Sequence, residues 1–490
     1  MRTLTPNLSD RRPEPLYQQL FLYIRDAILD RQIPPGEKLP SLRSLARSLG
    51  LSLTTVQQAY EQLLAEGYIS SRPQSGYYVN RVLAQGTAGR IEGAPGREDS
   101  GQSDGGLYRN GTAPAAGELH GQPGGSDISA GTGAMPLYAD PASFDFAKWK
   151  KCLNAVLNEQ ADELLQEGDP RGEEPLRRAI SGYIYQARGV RCGWDQIVIG
   201  AGTQQLVSLL CILLHRMGID LVSFEEPGYL PVRGIFRDRG FQAGGVPVDR
   251  DGIQIERLPA NIRSTVYVSP SNQFPTGSIM PAARRYALLD WAAANGSIII
   301  EDDYNSELRY TGRPVPSLQG LDTGEQVVYL GSFSSTLFPA IKISFMVLPR
   351  PLLRLFESVL GGYTQTCSKT EQLTLALYMR DGSYQIHLKK LRKLYAQKIQ
   401  AAAAALQRHA GDKIRILSNS SGLHMLLELT DLPPDRSTAD ICDAAAAAGL
   451  AMAPVAHYLE VGGSLLMIFY YTRIPLDQME TAVADLARLL

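Results

Sequence analysis

A chain of 490 residues that is 44% hydrophobic is long enough for two or three domains and for a sizeable core. Its 48 Lys and Arg against 50 Asp and Glu give a net charge of -2, which excludes a broadly basic nucleic-acid coat and confines any DNA contact to a local patch. Five cysteines and six histidines are scattered, with no CxxC or Cys/His spacing, which argues against a disulfide framework or a metal site. With no apolar run of membrane-spanning length and no apolar leader after Met1, a soluble, cytoplasmic protein away from membranes is expected.

Leu16, Leu20, Ile24, Ala27 and Ile28 recur at helical spacing and predict a first amphipathic helix that Pro34-Pro-Gly36 ends. A second short helix is expected after Ser41, a residue suited to cap it, with Leu42, Leu45, Ala46 and Leu49 on its inward stripe. Gly50 opens the turn to a third helix, capped by Ser52 and burying Val56, Ala59, Tyr60 and Leu63. That leaves Leu53, Thr54, Thr55, Gln57 and Gln58 outward or at its exposed start. Tyr68 to Val79 reads as two short strands around a turn at Gly76, a wing. A winged helix-turn-helix lays one helix in the major groove and clamps phosphates beside it. Thr54, Thr55 and Gln57 suit base edges; Arg43, Arg47 and Arg72 suit phosphates. By spacing alone, the same helices and hairpin also serve as a plain packing unit. The residues themselves narrow the choice: Leu39 to Gly50, Thr54 to Val56 and Tyr60 to Gly76 resemble a GntR-family DNA-binding domain nearly element for element. The resemblance implies that residues 11–80 bind double-stranded operator DNA through Arg43, Arg47, Ser52, Thr54, Thr55, Gln57, Arg72 and Gly76. Leu53 departs from it, standing where an arginine is common in that family; a leucine there can meet a thymine methyl instead.

Residues 81–126 are rich in Gly, Ala, Ser and Pro without apolar periodicity, which predicts a flexible linker with a reach of roughly 35 to 40 Å. That reach would carry the reader to a partner subunit, although a passive spacer explains the composition as well. From 127 to 490, helical stretches alternate with apolar runs at Gln196, Leu221, Ser264, Ser297, Gln326 and Ile343. Such alternation predicts an α/β fold with a largely parallel sheet covered on both faces, and ligands beyond the carboxyl ends of its strands.

At those strand ends lie Gly168–Gly172, Gly202–Gln205, Glu225–Tyr229, Ser269–Gly277, Glu301–Tyr304 and Gly331–Ser335, in that order. Together they resemble a fold-type I, pyridoxal-phosphate-dependent aminotransferase domain, and with the amino-terminal half the whole chain resembles a MocR-type regulator. The resemblance implies a site for pyridoxal 5'-phosphate. Gly202 and Thr203 at a helix start, with Ser332, would hold the phosphate. Asp302 would face the ring nitrogen, Tyr304 and Asn272 the ring hydroxyl, and Tyr229 the ring face.

Four positions depart from that pattern. Ser335 replaces the lysine that holds the cofactor as a Schiff base, and a hydroxyl neither forms an imine nor shuttles a proton at neutral pH. Lys342 replaces a phosphate-binding arginine, keeping the charge without the fork. Glu167 stands where a partner subunit's tyrosine reaches the phosphate. Met467 aligns with the arginine that grips a substrate carboxylate, unless the nearby Arg473 serves. Covalent attachment and amino transfer are therefore not expected; the pocket has either changed its ligand or keeps the cofactor noncovalently. The expectation is a homodimeric transcription regulator, not an enzyme, that senses a small effector of unknown identity. An aminotransferase with an accessory DNA-binding domain and a ligand-independent DNA-binding dimer are the alternatives.

Overall fold

The computed structural model of the chain describes Pro6, Leu8 and residues 15–72, 76–80, 140–310, 315–419, 422–430, 437–447, 449–461 and 464–489. The proposed linker at 81–126 lies outside the described residues.

In the amino-terminal unit, α1 (Leu16–Leu29), α2 (Leu42–Leu49) and α3 (Leu53–Ala65) precede a hairpin of β1 (Ile69–Arg72) and β2 (Gly76–Val79). Ser41 caps α2 by accepting the Ser44 amide at 3.2 Å, and Gly50 closes it in the left-handed conformation. Ser52 caps α3 through the Thr55 amide at 3.0 Å. Val56, Ala59, Tyr60 and Leu63 are buried against Leu20, Ile24 and Leu45, as the spacing predicts. The Tyr60 hydroxyl donates to the Pro40 carbonyl at 2.9 Å and so fixes α3 to the entrance of α2.

The body begins with α4 (Phe146–Glu159), α5 (Ala161–Leu164) and α6 (Glu174–Arg188). Strands and helices then alternate: β3 (Ile197–Gly200), α7 (Thr203–Arg216), β4 (Leu221–Glu226), α8 (Leu230–Asp238), β5 (Gln242–Asp249), β6 (Gly252–Ile253), β7 (Thr265–Val268), α9 (Ala282–Asn295), β8 (Ile298–Asp302), α10 (Leu318–Leu321), β9 (Val327–Ser332) and β10 (Ser344–Val347). They form one sheet in the order β3-β10-β9-β8-β7-β4-β5-β6, parallel from β9 across to β5, with β10 antiparallel to both β3 and β9. Along β8, Ile298 and Ile300 enter one core and Ile299 the other, so both faces are covered and the strand reads as continuously apolar. The expected strands all form. β5 escaped the apolar-run reading because it lies near the sheet edge and carries Gln242, two glycines and Pro247.

After α11 (Arg350–Leu360) and α12 (Lys369–Arg380), the 27-residue α13 (Ser383–His409) leads into a smaller layer. There β11 (Ile414–Ser418), β12 (Met425–Leu429), β13 (Met452–Val461) and β14 (Ser464–Phe469) make an antiparallel sheet in the order β11-β12-β14-β13, with α14 (Thr438–Ala447) between β12 and β13 and α15 (Met479–Leu489) at the end. A shared core joins this sheet to α13 and α15. No described helix is long and apolar enough to cross a membrane.

Candidate functional site

The start of α3 is the outward end of the reader. Leu53 is 44% exposed, Ser52, Thr54 and Gln57 are exposed, and Thr55 is half-buried with its hydroxyl 2.8 Å from that of Ser52. Gln57 donates to Glu61 at 2.9 Å, an exposed bond that a base edge can replace. Arg43 and Arg47 are exposed on α2 beside this helix start. The wing brings Gly76 opposite Arg72 at φ 111°, a conformation that favours glycine; the Arg72 side chain lies outside what is described.

The second site is a cavity of about 370 Å³ at the carboxyl edge of the large sheet, closed on its other side by the small layer. At one end Gly202 (φ 93°), Thr203 and Gln204 present the first turn of the 14-residue α7, whose free amides face the cavity with the hydroxyls of Ser332, Ser334 and Ser335. Ser344 donates to Ser332 at 2.9 Å and lies 3.5 Å from Thr203, tying β10, β9 and α7 together at this end. Lys342, in the left-handed conformation at φ 48°, supplies the only lysine or arginine side chain among the described lining residues.

At the floor, Asp302 ends the buried β8. Its carboxylate accepts from the Tyr267 hydroxyl and the Tyr304 amide, while burial pushes its pKa up to about 6. It is therefore mostly ionised at neutral pH and suited to a protonated ring nitrogen. The Tyr304 side chain lines the cavity, and its hydroxyl is buried with no hydrogen-bond partner among the described residues; burial, then Asp302, raises its pKa well above the usual 10. Tyr229, 36% exposed at the head of α8, meets Phe274 edge to face at 6.1 Å and forms a wall. From Phe274 the lining continues through His424 and Tyr470, each in aromatic contact with the next. His424 is buried and bonded to the Pro275 carbonyl at 3.1 Å, and burial lowers its pKa, which keeps the ring neutral.

The structure thus brings together Gly202, Thr203, Tyr229, Asp302, Tyr304, Ser332, Ser335 and Lys342. Asn272 is buried in the adjoining loop, close under Gly422, and does not line the cavity. Glu167 is exposed and away from its own chain's cavity. Met467 requires a correction: it is fully buried in the core of the small layer, opposite Leu427 on β12. Alternation along β14 puts Leu466, Ile468 and Tyr470 on the face toward Phe274 and Tyr304, so Met467 lies on the opposite face, away from the cavity. Arg473 does not line the cavity either. Phe274 was within reach of sequence reasoning, inside the Ser269–Gly277 motif; His424 and Tyr470 carry no local signal.

The geometry defines a class: a winged helix-turn-helix reader on a body of the aminotransferase fold. Residues 16–79 match the model of bacterial regulatory proteins of the gntR family, and residues 137–461 that of aminotransferase class I and II. The chain is 40% identical over 426 residues to the HTH-type transcriptional regulator YdeL of Bacillus subtilis, covering 87% of this chain and 86% of that protein. It is 32% identical to the probable rhizopine catabolism regulatory protein MocR of Rhizobium meliloti, covering 85% and 82% of the two chains. With the pyridoxine biosynthesis regulator PdxR of Corynebacterium glutamicum it shares 30% identity over 92% and 90%. Among solved structures it resembles the kynurenine aminotransferase of Pyrococcus horikoshii, at a TM-score of 0.61 and 26% identity over 74% of this chain and 90% of that one. The LysN aminotransferase of Thermus thermophilus gives 0.62 and 26% over 74% and 92%. The chain belongs to the MocR-type family of HTH transcriptional regulators with an aminotransferase-like domain.

Proposed function

We propose that this regulator senses pyridoxal 5'-phosphate, or a close phosphorylated analogue, held noncovalently in the Asp302 cavity, and that it performs no amino transfer. The observation that carries the reading is the buried Tyr304 hydroxyl, without a partner among the described residues, on a side chain that lines the cavity with Asp302, where Lys342 is the only lysine or arginine among the described lining residues. Buried polar groups without partners are rare in folded proteins, and a ring oxygen would satisfy this one. The group fits the residues present: the α7 amides, Ser332 and Lys342 would hold its phosphate, Asp302 its ring nitrogen and Tyr229 its face, with Asn272 acting through the loop it anchors. When bound to a lysine, such a group acts as an electron sink for amino-acid chemistry. Here Ser335 offers no amine, and the described lining residues include no arginine to hold a substrate carboxylate.

The reader binds operator DNA through Thr54, Thr55 and Gln57 on base edges and Arg43, Arg47 and Arg72 on phosphates, with Ser52 capping the inserted helix and Gly76 shaping the wing. Two copies in a homodimer present two readers to paired half-sites. The domains run 11–80, 81–126 and 127–490. The test is titration of the full-length protein with pyridoxal 5'-phosphate, followed by borohydride reduction and mass spectrometry. Saturable absorbance changes with no borohydride-stable adduct support the reading. An adduct mapped to Lys342, or measurable amino transfer, overturns the noncovalent reading; absence of saturable binding overturns the ligand.

A further inference from the structure

The reader is docked on the body at the end of the loop that shapes the cavity. The Ala282 amide, in the first turn of α9, donates to the Glu66 carbonyl of the reader at 2.7 Å. Amides at that position have no partner within their own helix, so the reader supplies what α9 lacks. A Cβ built on Gly67 would lie 3.0 Å from Pro281 Cβ, which leaves room for glycine at this contact. The two cores are continuous: Phe21, Ile24, Leu63 and Tyr68 of the reader share one apolar cluster with Met280, Ala282 and Tyr286 of the body. Glu66 is 1% exposed; burial raises its carboxyl to about 8, against the pull of Gln62 and of Arg25, Arg285 and Arg188. It therefore sits at the seam as a neutral acid at pH 7.

Behind the seam stands Arg285, fully buried. It donates to the carbonyls of Met280 at 2.9 Å, Pro270 at 2.8 Å and Pro316 at 2.8 Å, and its guanidinium is 3.9 Å from Glu301. Pro270 and Met280 are the two ends of the loop that carries Asn272 and Phe274, also joined by the Met280 amide to the Pro270 carbonyl at 2.9 Å. Glu301 directly precedes Asp302. One side chain thus clamps both ends of the cavity loop, borders the strand end at the cavity floor, and holds the carbonyl of Met280, two residues before the Ala282 amide that the reader engages. The DNA-reading residues Arg43, Arg47, Thr54 and Gln57 remain exposed while the reader is docked, so docking aims the reader without covering it.

We propose that docking of this chain's reader on the Met280–Tyr286 face and ordering of the cavity loop form one linked equilibrium, with Arg285 as the positioning residue between them. The inference rests on the cavity being the effector site. By reciprocity, a ligand that orders the loop strengthens docking by the factor with which docking strengthens the ligand.

Hydrogen exchange of the full-length protein tests it, read at single amides: Ala282 for docking, and Gln273 and Gly277, bonded to Ser278 and Gln273 at 3.0 and 2.7 Å, for the loop. Glu66→Lys sets a cation among three arginines on the reader side. Ala282→Pro acts from the body side: it removes the donor and sets a ring against the Glu66 carbonyl, and proline suits the first helical position after an extended residue such as Pro281 (ψ 159°). In both variants, exchange at Gln273 and Gly277 should rise about tenfold or more, with Ala282 rising in parallel in Glu66→Lys; Glu66→Gln, which keeps the seam neutral, should leave all three unchanged. Faster loop exchange in only one variant, or in neither, overturns the proposal, as does an unprotected Ala282 amide in the wild type. Added pyridoxal 5'-phosphate should slow exchange at Ala282. Binding without that slowing overturns the linkage, whereas no binding at all overturns the ligand assignment and leaves the linkage to the two variants.

Discussion

Tyr304→Phe should stabilise the free protein and weaken the complex, two effects of opposite sign from one oxygen atom. The hydroxyl is buried, has no partner among the described residues and stays protonated because burial and Asp302 hold its pKa far up. Leaving a buried donor unsatisfied costs about 1–3 kcal/mol, whereas deleting the oxygen leaves only a small void. The variant without ligand should therefore gain about 1 kcal/mol, seen as a higher urea midpoint of the body's unfolding. With pyridoxal 5'-phosphate the same deletion removes a bond to the ring oxygen worth about 1–2 kcal/mol, so affinity should fall by roughly five- to thirtyfold. The ligand-induced rise in midpoint, which follows the logarithm of ligand concentration over Kd, should shrink accordingly. If Tyr304→Phe is less stable without ligand and binds it equally well, the hydroxyl is satisfied inside the protein and the argument from its isolation fails.

Asp302, raised to about 6, should make pyridoxal 5'-phosphate affinity climb between pH 5 and 7 as the carboxylate forms; Asp302→Asn should flatten that climb to the contribution of the ligand's own phosphate. A profile identical in both proteins would remove Asp302 from ligand binding. Arg43→Ala should bind an operator selected from random duplex DNA more weakly and with a shallower salt dependence, and unchanged affinity and slope would show that Arg43 touches no phosphate. Ser335→Lys should restore a borohydride-stable adduct at residue 335, detected by mass spectrometry. Adding Glu167→Tyr should tighten binding further: an anion 4 Å from a phosphate costs about 1 kcal/mol in water and about 4 at an effective dielectric of 20, and Glu167 is exposed, so a gain of five- to tenfold is expected. Equal affinities for the single and double variants would mean that the partner subunit's Glu167 points away from the site.

The reader was legible in the sequence almost to the residue, because its signals are local. Ser41 and Ser52 cap helices within three residues of themselves, and the stripe Val56, Ala59, Tyr60, Leu63 needs only the helical period to declare its inner face. The central strands of the body were legible for a similar reason: burial on both faces leaves a continuous apolar run, as in Ile298–Ile300. Most of the cavity followed from ordered motifs at strand ends, where Gly202, Tyr229, Asp302 and Ser335 each sit in or just beyond the end of a strand. The sequence could not assign a face to β14, since Leu465–Phe469 is apolar at every position and carries no alternation; only pairing with β12 and packing on α13 and α15 sent Met467 inward and turned Tyr470 to the cavity. His424 reaches the cavity from more than a hundred residues beyond Asp302 in the chain, a distance that no local pattern encodes. The seam between reader and body was likewise invisible: Glu66 and Ala282 are separated by the undescribed linker and several strands, and read singly as an ordinary surface acid and a helix alanine. Their pairing depends on where two independently patterned cores meet, which is fixed by the summed packing of Phe21, Tyr68, Met280 and Tyr286 and by no one segment's periodicity.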